Sequence, residues 1–238
     1  MSFCRNKKAI AFEAIMVILL VIFAFILIMG VIKVITSKAD EIRGIEVCRG
    51  SVLAAAKIKA ITESGIISAA TAHNLLCRTY DKNLYGKNEE VSGMISKLAA
   101  KCWYEFAEGR YANVFGDYFL SNDYCFICYT FKVDYSDNKP VKKADLVNFM
   151  YKNTYSNTGK TYLDYIQSYA GEGKIEIDPE LGDFKKKQIY AVALVSPFDW
   201  TKFNVKAGEK DMNWIIITEL SKITSKTKCE PVKDIGGQ

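Results

Sequence analysis

Residues 9–32 have the sequence AIAFEAIMVILLVIFAFILIMGVI, an apolar run that contains a single charge, Glu13. As a helix, its 24 residues would extend about 36 Å at roughly 1.5 Å per residue, and the hydrocarbon core of a bilayer is about 30 Å thick. The run is longer than the roughly 7–15 apolar residues of a secretory signal, and no small-residue cleavage site follows it. The sequence therefore predicts a transmembrane helix over residues 9–35.

Basic residues and cysteines on the two sides of this run predict its orientation. Arg5, Lys7 and Lys8 cluster on the N-terminal side, and the positive-inside rule places such a cluster in the cytoplasm. Cys4 precedes the run and an even number of cysteines follows it, which suits a reducing and an oxidising compartment respectively. We therefore expect residues 1–8 to form a cytoplasmic basic leader and the chain after the helix to lie outside the cell membrane. The disulfide candidates on that outer side are Cys48, Cys77, Cys102, Cys125, Cys128 and Cys229.

The composition of the remaining chain indicates a folded domain. Hydrophobic residues make up 50% of the sequence and charged residues 25%, as is typical of globular proteins. After residue 35, 28 lysines and arginines stand against 26 aspartates and glutamates. Such a near-neutral balance offers no electrostatic footprint for nucleic acid, so we expect no nucleic-acid partner.

Apolar residues continue at three- to four-residue spacing beyond the membrane run, which is the pattern of one buried helix face. The pair Ser64-Gly65 ends this pattern, and glycine is typical of helix C-termini. We therefore predict a helical extension, or stalk, over residues 36–65, so that one helix runs from about Lys8 to Glu63. The predicted buried stripe consists of Ile42, Ile45, Cys48, Val52, Ala55, Ala56 and Ile61.

Residues 66–238 alternate between helical and extended patterns. Their mixture lacks a strict strand–helix–strand repetition, which predicts an α+β domain around a mostly antiparallel sheet with flanking helices. The predicted helices cover residues 88–108, 144–151 and 161–168. The predicted strands cover residues 70–80, 124–135, 174–178, 188–195 and 212–220.

The motif Cys125-Phe-Ile-Cys128 has three interpretations: a redox dithiol, half of a zinc site, or cysteines of structural disulfides. It lies at the start of a predicted strand, where residues i and i+3 are about 10 Å apart and face opposite sides. A disulfide cannot bridge Cα atoms more than about 7 Å apart. In a regular strand Cys125 and Cys128 must therefore have different partners, whereas a local turn or bulge would permit a direct bond. We favour structural disulfides and expect no metal and no cofactor.

Three acidic residues, Glu105, Glu108 and Asp117, could supply the paired carboxylates of a glycoside hydrolase. Their spacing in the sequence says nothing about their separation in space, and we expect them to be ordinary surface acids. No catalytic residue is predicted.

An aromatic cluster at the end of the predicted helix 88–108 and in the following loop is a candidate binding patch. Core packing is the alternative for such a cluster. Its members are Trp103, Phe106, Tyr111, Phe115, Tyr118 and Phe119.

The segment Lys7-Lys8-Ala9-Ile10-Ala11-Phe12-Glu13 and the apolar helix after it resemble the N-terminus of type IV pilins and pilin-like proteins, including archaeal ones. The resemblance implies that a membrane peptidase removes the basic leader after Lys8 or Ala9. It further implies that the mature helix packs into a filament core. There Glu13 would pair with the amino terminus of a neighbouring copy, which begins at Ala9 or Ile10.

These features together predict a single-pass membrane protein with a structural, adhesive or interaction role, as a pilin-like subunit or a plain anchored module. In the plain anchor, Glu13 is an acid tolerated at the membrane interface. The expected partners are the lipid bilayer and other copies of the chain. The alternative is an envelope enzyme, either a thiol oxidoreductase that uses Cys125 and Cys128 or a hydrolase.

Overall fold

The computed structural model describes residues 7–63, 75–109, 125–136, 139–156, 158–168, 173–178, 181–195, 213–227, 229 and 231–232. The chain divides into two units, residues 1–43 and 44–238. Helix α1 (Lys7–Glu63) contributes to both units, and its side chains are described at residues 16–29 and 39–54.

Helix α1 agrees with the predicted helix from about Lys8 to Glu63. In the first unit, the side chains from Met16 to Met29 are all apolar and all exposed. Within the described part of the chain, no helix carries an apolar stretch long enough to cross a bilayer. The transmembrane segment therefore stays a prediction.

The second unit begins with the part of α1 that carries the predicted apolar stripe. Ile45, Cys48 and Val52 are buried as expected, but Ile42 is 60% exposed. Gly44 allows close packing at this end of the unit, since a Cβ atom there would lie 1.9 Å from the Tyr80 hydroxyl oxygen. The stripe therefore starts at Ile45, one turn later than predicted.

The described strands form one five-stranded mixed sheet in the order β1-β2-β4-β5-β3. The pairings of β2 with β4 and of β4 with β5 are antiparallel, whereas β1 with β2 and β3 with β5 are parallel. The prediction of a mostly antiparallel sheet is therefore wrong at both edges. The chain between β1 and β2 contains helix α2, and a helix is the crossover that adjacent parallel strands require. The strands are β1 (Tyr80–Gly86), β2 (Cys125–Tyr135), β3 (Gly173–Ile177), β4 (Ile189–Val195) and β5 (Asn213–Glu219).

The helices of the second unit match the three predicted ones and add another at the end. The predicted class, α+β, is confirmed. The helix that was not predicted, α5, directly follows β5. The prediction of a strand over residues 70–80 is wrong, because residues 75–79 have no regular structure and β1 begins at Tyr80. The helices are α2 (Asn88–Glu105), a short 3-10 turn (Ala107–Gly109), α3 (Lys143–Lys152), α4 (Tyr162–Ser168) and α5 (Leu220–Thr227).

The two faces of the sheet carry separate apolar clusters. One face, which we call the α2 face, packs against α2, α3, α4 and the nearby part of α1. The other, the α5 face, packs against Ile223 of α5 and Cys229. A β-bulge lies in β2 between Ile127 and Tyr129, so Cys128 and Tyr129 both belong to the α2 face.

Candidate functional site

The six cysteines after the apolar run are all paired, so the predicted structural disulfides are confirmed. Their Cα atoms are 4.5, 5.6 and 6.0 Å apart, within the roughly 7 Å that a disulfide allows. The bonds join Cys48 to Cys77, Cys102 to Cys128 and Cys125 to Cys229.

The two cysteines of the C-x-x-C motif have different partners, as the strand geometry predicts. Cys125 lies on the α5 face and bonds to Cys229, whereas Cys128 lies on the α2 face and bonds to Cys102 of α2. The β-bulge at Cys128 does not bring it into a bond with Cys125. The motif is therefore neither a dithiol pair nor a set of free zinc ligands.

The predicted aromatic patch is wrong for its first two members. Trp103 and Phe106 are fully buried, because the apolar side of α2 packs on the sheet, where the ring of Phe106 lies 5.3 Å from that of Phe126. These two residues belong to the core. The other four members, Tyr111, Phe115, Tyr118 and Phe119, lie outside the described residues.

The predicted processing and assembly residues lie in the first turns of α1. They are Lys8, Ala9, Ile10 and Glu13, and their side chains are outside the described part of the chain. Their roles therefore stay predictions.

A left-handed turn at the end of α2 positions a buried carboxylate. Ala107, Glu108 and Gly109 have φ angles of 57°, 59° and 66°, and a left-handed conformation costs roughly 1–2 kcal/mol for a residue with a side chain. Gly109 also lies against Trp103, since a Cβ atom at Gly109 would be 2.1 Å from the indole ring. Strained residues of this kind persist only where the surrounding structure holds them in place, and they cluster at functional sites.

Glu108, in the turn that follows α2, contacts two other helices through its two carboxylate oxygens. The Tyr165 hydroxyl of α4 donates to Oε1 at 3.0 Å, and Nη2 of Arg49 in α1 lies 3.5 Å from Oε2. The other Nη of Arg49 donates to the carbonyl oxygen of Tyr104, and its guanidinium lies 4.0 Å from the centre of that ring. The Tyr104 hydroxyl in turn donates to Glu46 Oε1 at 3.1 Å. We call these five residues the Glu108 network.

Burial and negative charge keep the hydroxyl protons of this network in place. The pKa of Tyr165 is raised first by burial, then by the charge of Glu108 and by the hydrogen bond to it. The pKa of Tyr104 is raised by burial and then by its hydrogen bond to Glu46. Both tyrosines are therefore protonated at neutral pH and donate hydrogen bonds to the carboxylates of Glu46 and Glu108.

The expectation that Glu105 and Glu108 are surface acids is wrong, because they are 0% and 6% exposed. Asp117 lies outside the described residues. The sequence does contain a signal for Glu105, which follows Cys102 by three residues and Leu98 by seven, so it belongs to the apolar side of α2. Nothing local to Glu108 indicates its partners Arg49 and Tyr165, which are distant in the sequence.

Glu105 lies beside the disulfide between Cys48 and Cys77. The carboxylate and the two sulfurs are all within 4.8 Å of one another, a spacing compatible with a metal ion. Both sulfurs are in the disulfide, however, whereas cysteine binds metals as a thiolate. In this oxidised state the group fits a packed core and not a metal centre.

Comparisons of this chain with protein-family models, with curated proteins and with solved structures find no match. The functional argument therefore depends on the residues themselves.

Proposed function

We propose that this protein is a single-pass membrane protein whose outer domain has a structural or adhesive role, as a pilin-like subunit. The observation that supports this most strongly is the exposure of every side chain from Met16 to Met29 in α1. A helix that is apolar all round requires an apolar environment on all sides. The sequence 9–32 extends the same character over a length that a bilayer requires.

Glu13 supports packing of this helix against another copy of the chain. It follows Lys8 by about 7.5 Å of helix at 1.5 Å per residue, near the membrane surface. An acid at the centre of a membrane helix costs about 2.5–3.5 kcal/mol, and acids in such helices are usually paired and functional. In the proposed assembly its partner is the amino terminus of a neighbouring subunit.

The three disulfides support an outer location for the second unit. Disulfides persist in oxidising compartments outside the cytoplasm, and here every cysteine after residue 35 is in one. We propose that residues 1–8 are the cytoplasmic leader, with the N-terminus inside and the second unit outside the cell membrane.

The rival enzyme hypotheses find less support in the geometry. A thiol oxidoreductase requires a reactive thiolate at a helix N-terminus or in a comparable site, whereas Cys125 and Cys128 lie in strand β2 and in two different disulfides. A glycoside hydrolase requires a pair of accessible carboxylates, whereas Glu105 and Glu108 are buried.

The experiment that tests this proposal is mass analysis of the N-terminus of the protein made in its own host. Removal of the leader predicts a mature start at Ala9 or Ile10. A protein that keeps Met1 or begins at Ser2 would contradict pilin-type processing and leave only a plain anchor.

A variant at Glu13 tests the assembly half of the proposal in the same cells. Glu13→Leu removes the charge and retains an apolar helix, so membrane insertion should persist while assembly of multi-subunit complexes is lost. Phe12→Leu is the control, because it changes the size of a neighbouring side chain without changing any charge, and it should assemble normally. If Glu13→Leu assembles normally, the proposed role of Glu13 in assembly is contradicted.

A further inference from the structure

The three disulfides bypass most of the backbone of the second unit. One bond joins α1 to the residue that lies three positions before β1, so the chain between its two cysteines carries no tension when α1 is pulled. The loops of the other two bonds overlap, so together they bypass residues 102–229 except for residues 125–128. Tension applied through α1 therefore follows the backbone only over residues 77–102 and 125–128.

The two ends of the segment 77–102 lie at the same end of the β1–β2 pair. Cys77 precedes Tyr80 of β1 by three residues, and the other end of the segment is bonded to Cys128, which is next to Tyr129 of β2. Tyr80 and Tyr129 are partners in the strand register, with ring centroids 5.9 Å apart. Tension therefore pulls the first residues of β1 away from β2, so the contacts at this end of the pair must break before the rest of the pair separates.

Thr79 makes three hydrogen bonds at this end of the pair. Its hydroxyl donates to the carbonyl oxygen of Ile127 in β2 at 2.6 Å and accepts the backbone N–H of Val232 at 2.9 Å. Its own backbone N–H donates to the carbonyl oxygen of Val232 at 2.6 Å. Thr79 is buried, and hydrogen bonds are electrostatically stronger in such surroundings than in water.

The three residues joined by these hydrogen bonds each lie close to a different disulfide. Thr79 follows the cysteine bonded to α1 by two residues, and Ile127 directly precedes the cysteine bonded to α2. Val232 follows the cysteine bonded to Cys125 by three residues. The hydroxyl of Thr79 therefore connects the covalently linked parts of the unit at the place where tension passes from one to the next.

We infer that Thr79 is a mechanical clamp, which holds β1 against β2 when the second unit is pulled through α1. The source of the tension rests on the proposed function, in which α1 anchors this unit at the cell surface. The clamp itself depends on neither leader removal nor assembly. Its failure would therefore leave the proposed function intact, and an uncleaved leader would leave the clamp intact.

Optical tweezers on the full chain in detergent test the path of the tension. DNA handles are ligated enzymatically to peptide tags at the two ends, so that no cysteine is added. Of the 181 residue steps from Cys48 to Cys229, only 25 between Cys77 and Cys102 and three between Cys125 and Cys128 carry tension. Reduction frees the others and should lengthen the fully extended chain by about 500 Å, at roughly 3.3–3.6 Å per residue. Any lengthening before Cys48 is the same in both states, and a much smaller difference would overturn the path.

Two buried threonines separate the clamp from general stability. Thr79→Val removes the hydroxyl and keeps the shape of the side chain, so the oxidised protein should unfold about three- to tenfold faster at a given force. Thr218 of β5 is the control, because its hydroxyl donates to Asp178 Oδ2 at 2.7 Å within the chain that the Cys125–Cys229 bond bypasses. Thr218→Val should lower Tm at least as much as Thr79→Val, since its acceptor is charged, without changing the rate under force.

A conservative variant completes the test of the clamp. Thr79→Ser keeps the hydroxyl, so its unfolding rate under force should return to that of the unmodified chain, and Tm measurements verify that each variant is folded before it is pulled. Equal rates for Thr79→Val and the unmodified chain, or equal acceleration by Thr79→Val and Thr218→Val, would overturn the inference.

Discussion

At the scale of single residues, Glu108 joins α1 to α2 and α4. Its carboxylate faces Arg49 and accepts a hydrogen bond from Tyr165, and its backbone has the left-handed conformation that β-carbon-bearing residues rarely adopt. A buried charge in a strained backbone persists only where its surroundings stabilise it. We therefore regard Glu108 as a residue that holds the second unit together.

Replacement of this charge provides the first prediction. Glu108→Gln retains the shape of the side chain but leaves Arg49 without its charged partner, and hydrogen bonds to charged groups contribute about 1.5–3 kcal/mol. We expect the free energy of unfolding to fall by about that amount in urea titrations.

The matched control for Glu108→Gln is an exposed ion pair. Asp134 lies 2.9 Å from Lys186 with its side chain 61% exposed, against 9% for Glu108. Exposed pairs contribute little because water screens them, so Asp134→Asn should leave the urea midpoint nearly unchanged. Equal effects of the two variants would contradict the role given to Glu108.

Two glycines with positive φ allow the energetic cost of backbone strain to be measured separately from the cost of overpacking. Gly109 (φ 66°) would place a Cβ atom 2.1 Å from Trp103, whereas at Gly159 (φ 68°) no described residue other than its chain neighbours lies within 4 Å of that position. Gly159→Ala should lose only the left-handed preference, about 1–2 kcal/mol. Gly109→Ala should lose about 1–3 kcal/mol more from overpacking. Thermal melting of both variants measures the difference. Similar losses of stability would show that the Trp103 ring moves aside at little cost.

At the scale of elements, strand β2 determines the covalent links of the second unit. Cys125 and Cys128 are three residues apart, so the alternation of a strand places them on opposite faces of the sheet. One bond therefore ties β2 to α2, and the other ties it to the chain after α5. In the chain-entropy account these bonds contribute about 3–5 kcal/mol each, with more from the longer loop.

Peptide mapping without reduction tests these links directly. Digestion under conditions that block thiol exchange should release cross-linked peptides for Cys48–Cys77, Cys102–Cys128 and Cys125–Cys229. Mass spectrometry before and after reduction identifies each pair. A peptide with Cys125 bonded to Cys128 would contradict the strand geometry of β2.

The elements differ in how far the sequence could predict them. The apolar runs of β4 and β5 and the periodic face of α2 depend on neighbouring residues, so their bounds were predictable to within a few positions. The prediction of a strand over residues 70–80 misses β1, because the sequence of β1, YDKNLYG, mixes apolar and polar residues at the edge of the sheet. α5 was missed because it follows β5 without a turn.

At the scale of the whole molecule, strand order and the Glu108 network depend on contacts between distant residues. β1 pairs with β2 across α2, and Arg49 meets Glu108 from another helix. No local pattern records such contacts, so neither the parallel pairing at the edges nor the burial of Glu108 can be predicted from the sequence. The even number of cysteines predicted disulfides, but six cysteines allow 15 connectivities.

Buried and partly buried tyrosines distributed through the second unit predict loss of stability at high pH. Burial raises the pKa of Tyr135 to about 12 from its ordinary value of 10.0, and burial is also the first cause of the raised pKa of five others. Between these values the folded state retains protons that the unfolded state has released, so stability falls as pH rises. The other five are Tyr104, Tyr155, Tyr162, Tyr165 and Tyr190.

Thermal melts between pH 8 and 12, together with tyrosinate absorbance, measure this effect. We expect full stability below pH 10 and a progressive loss from pH 10 to about 12. Tyr135→Phe keeps the buried ring without the titrating hydroxyl, so its melts should decline less steeply over that interval. An identical decline in the variant would exclude Tyr135 as a contributor.

We propose that the second unit lies outside the cell, anchored by the N-terminal part of the chain. Labelling of intact host cells with a membrane-impermeant amine reagent, followed by peptide mass spectrometry, tests it most directly. The account predicts that Lys82, Lys152 and Lys186, which lie in the second unit, are modified in intact cells. Any copies that retain the leader should carry modification at Lys7 and Lys8 only after lysis. Modification of the second unit only after lysis would contradict the account.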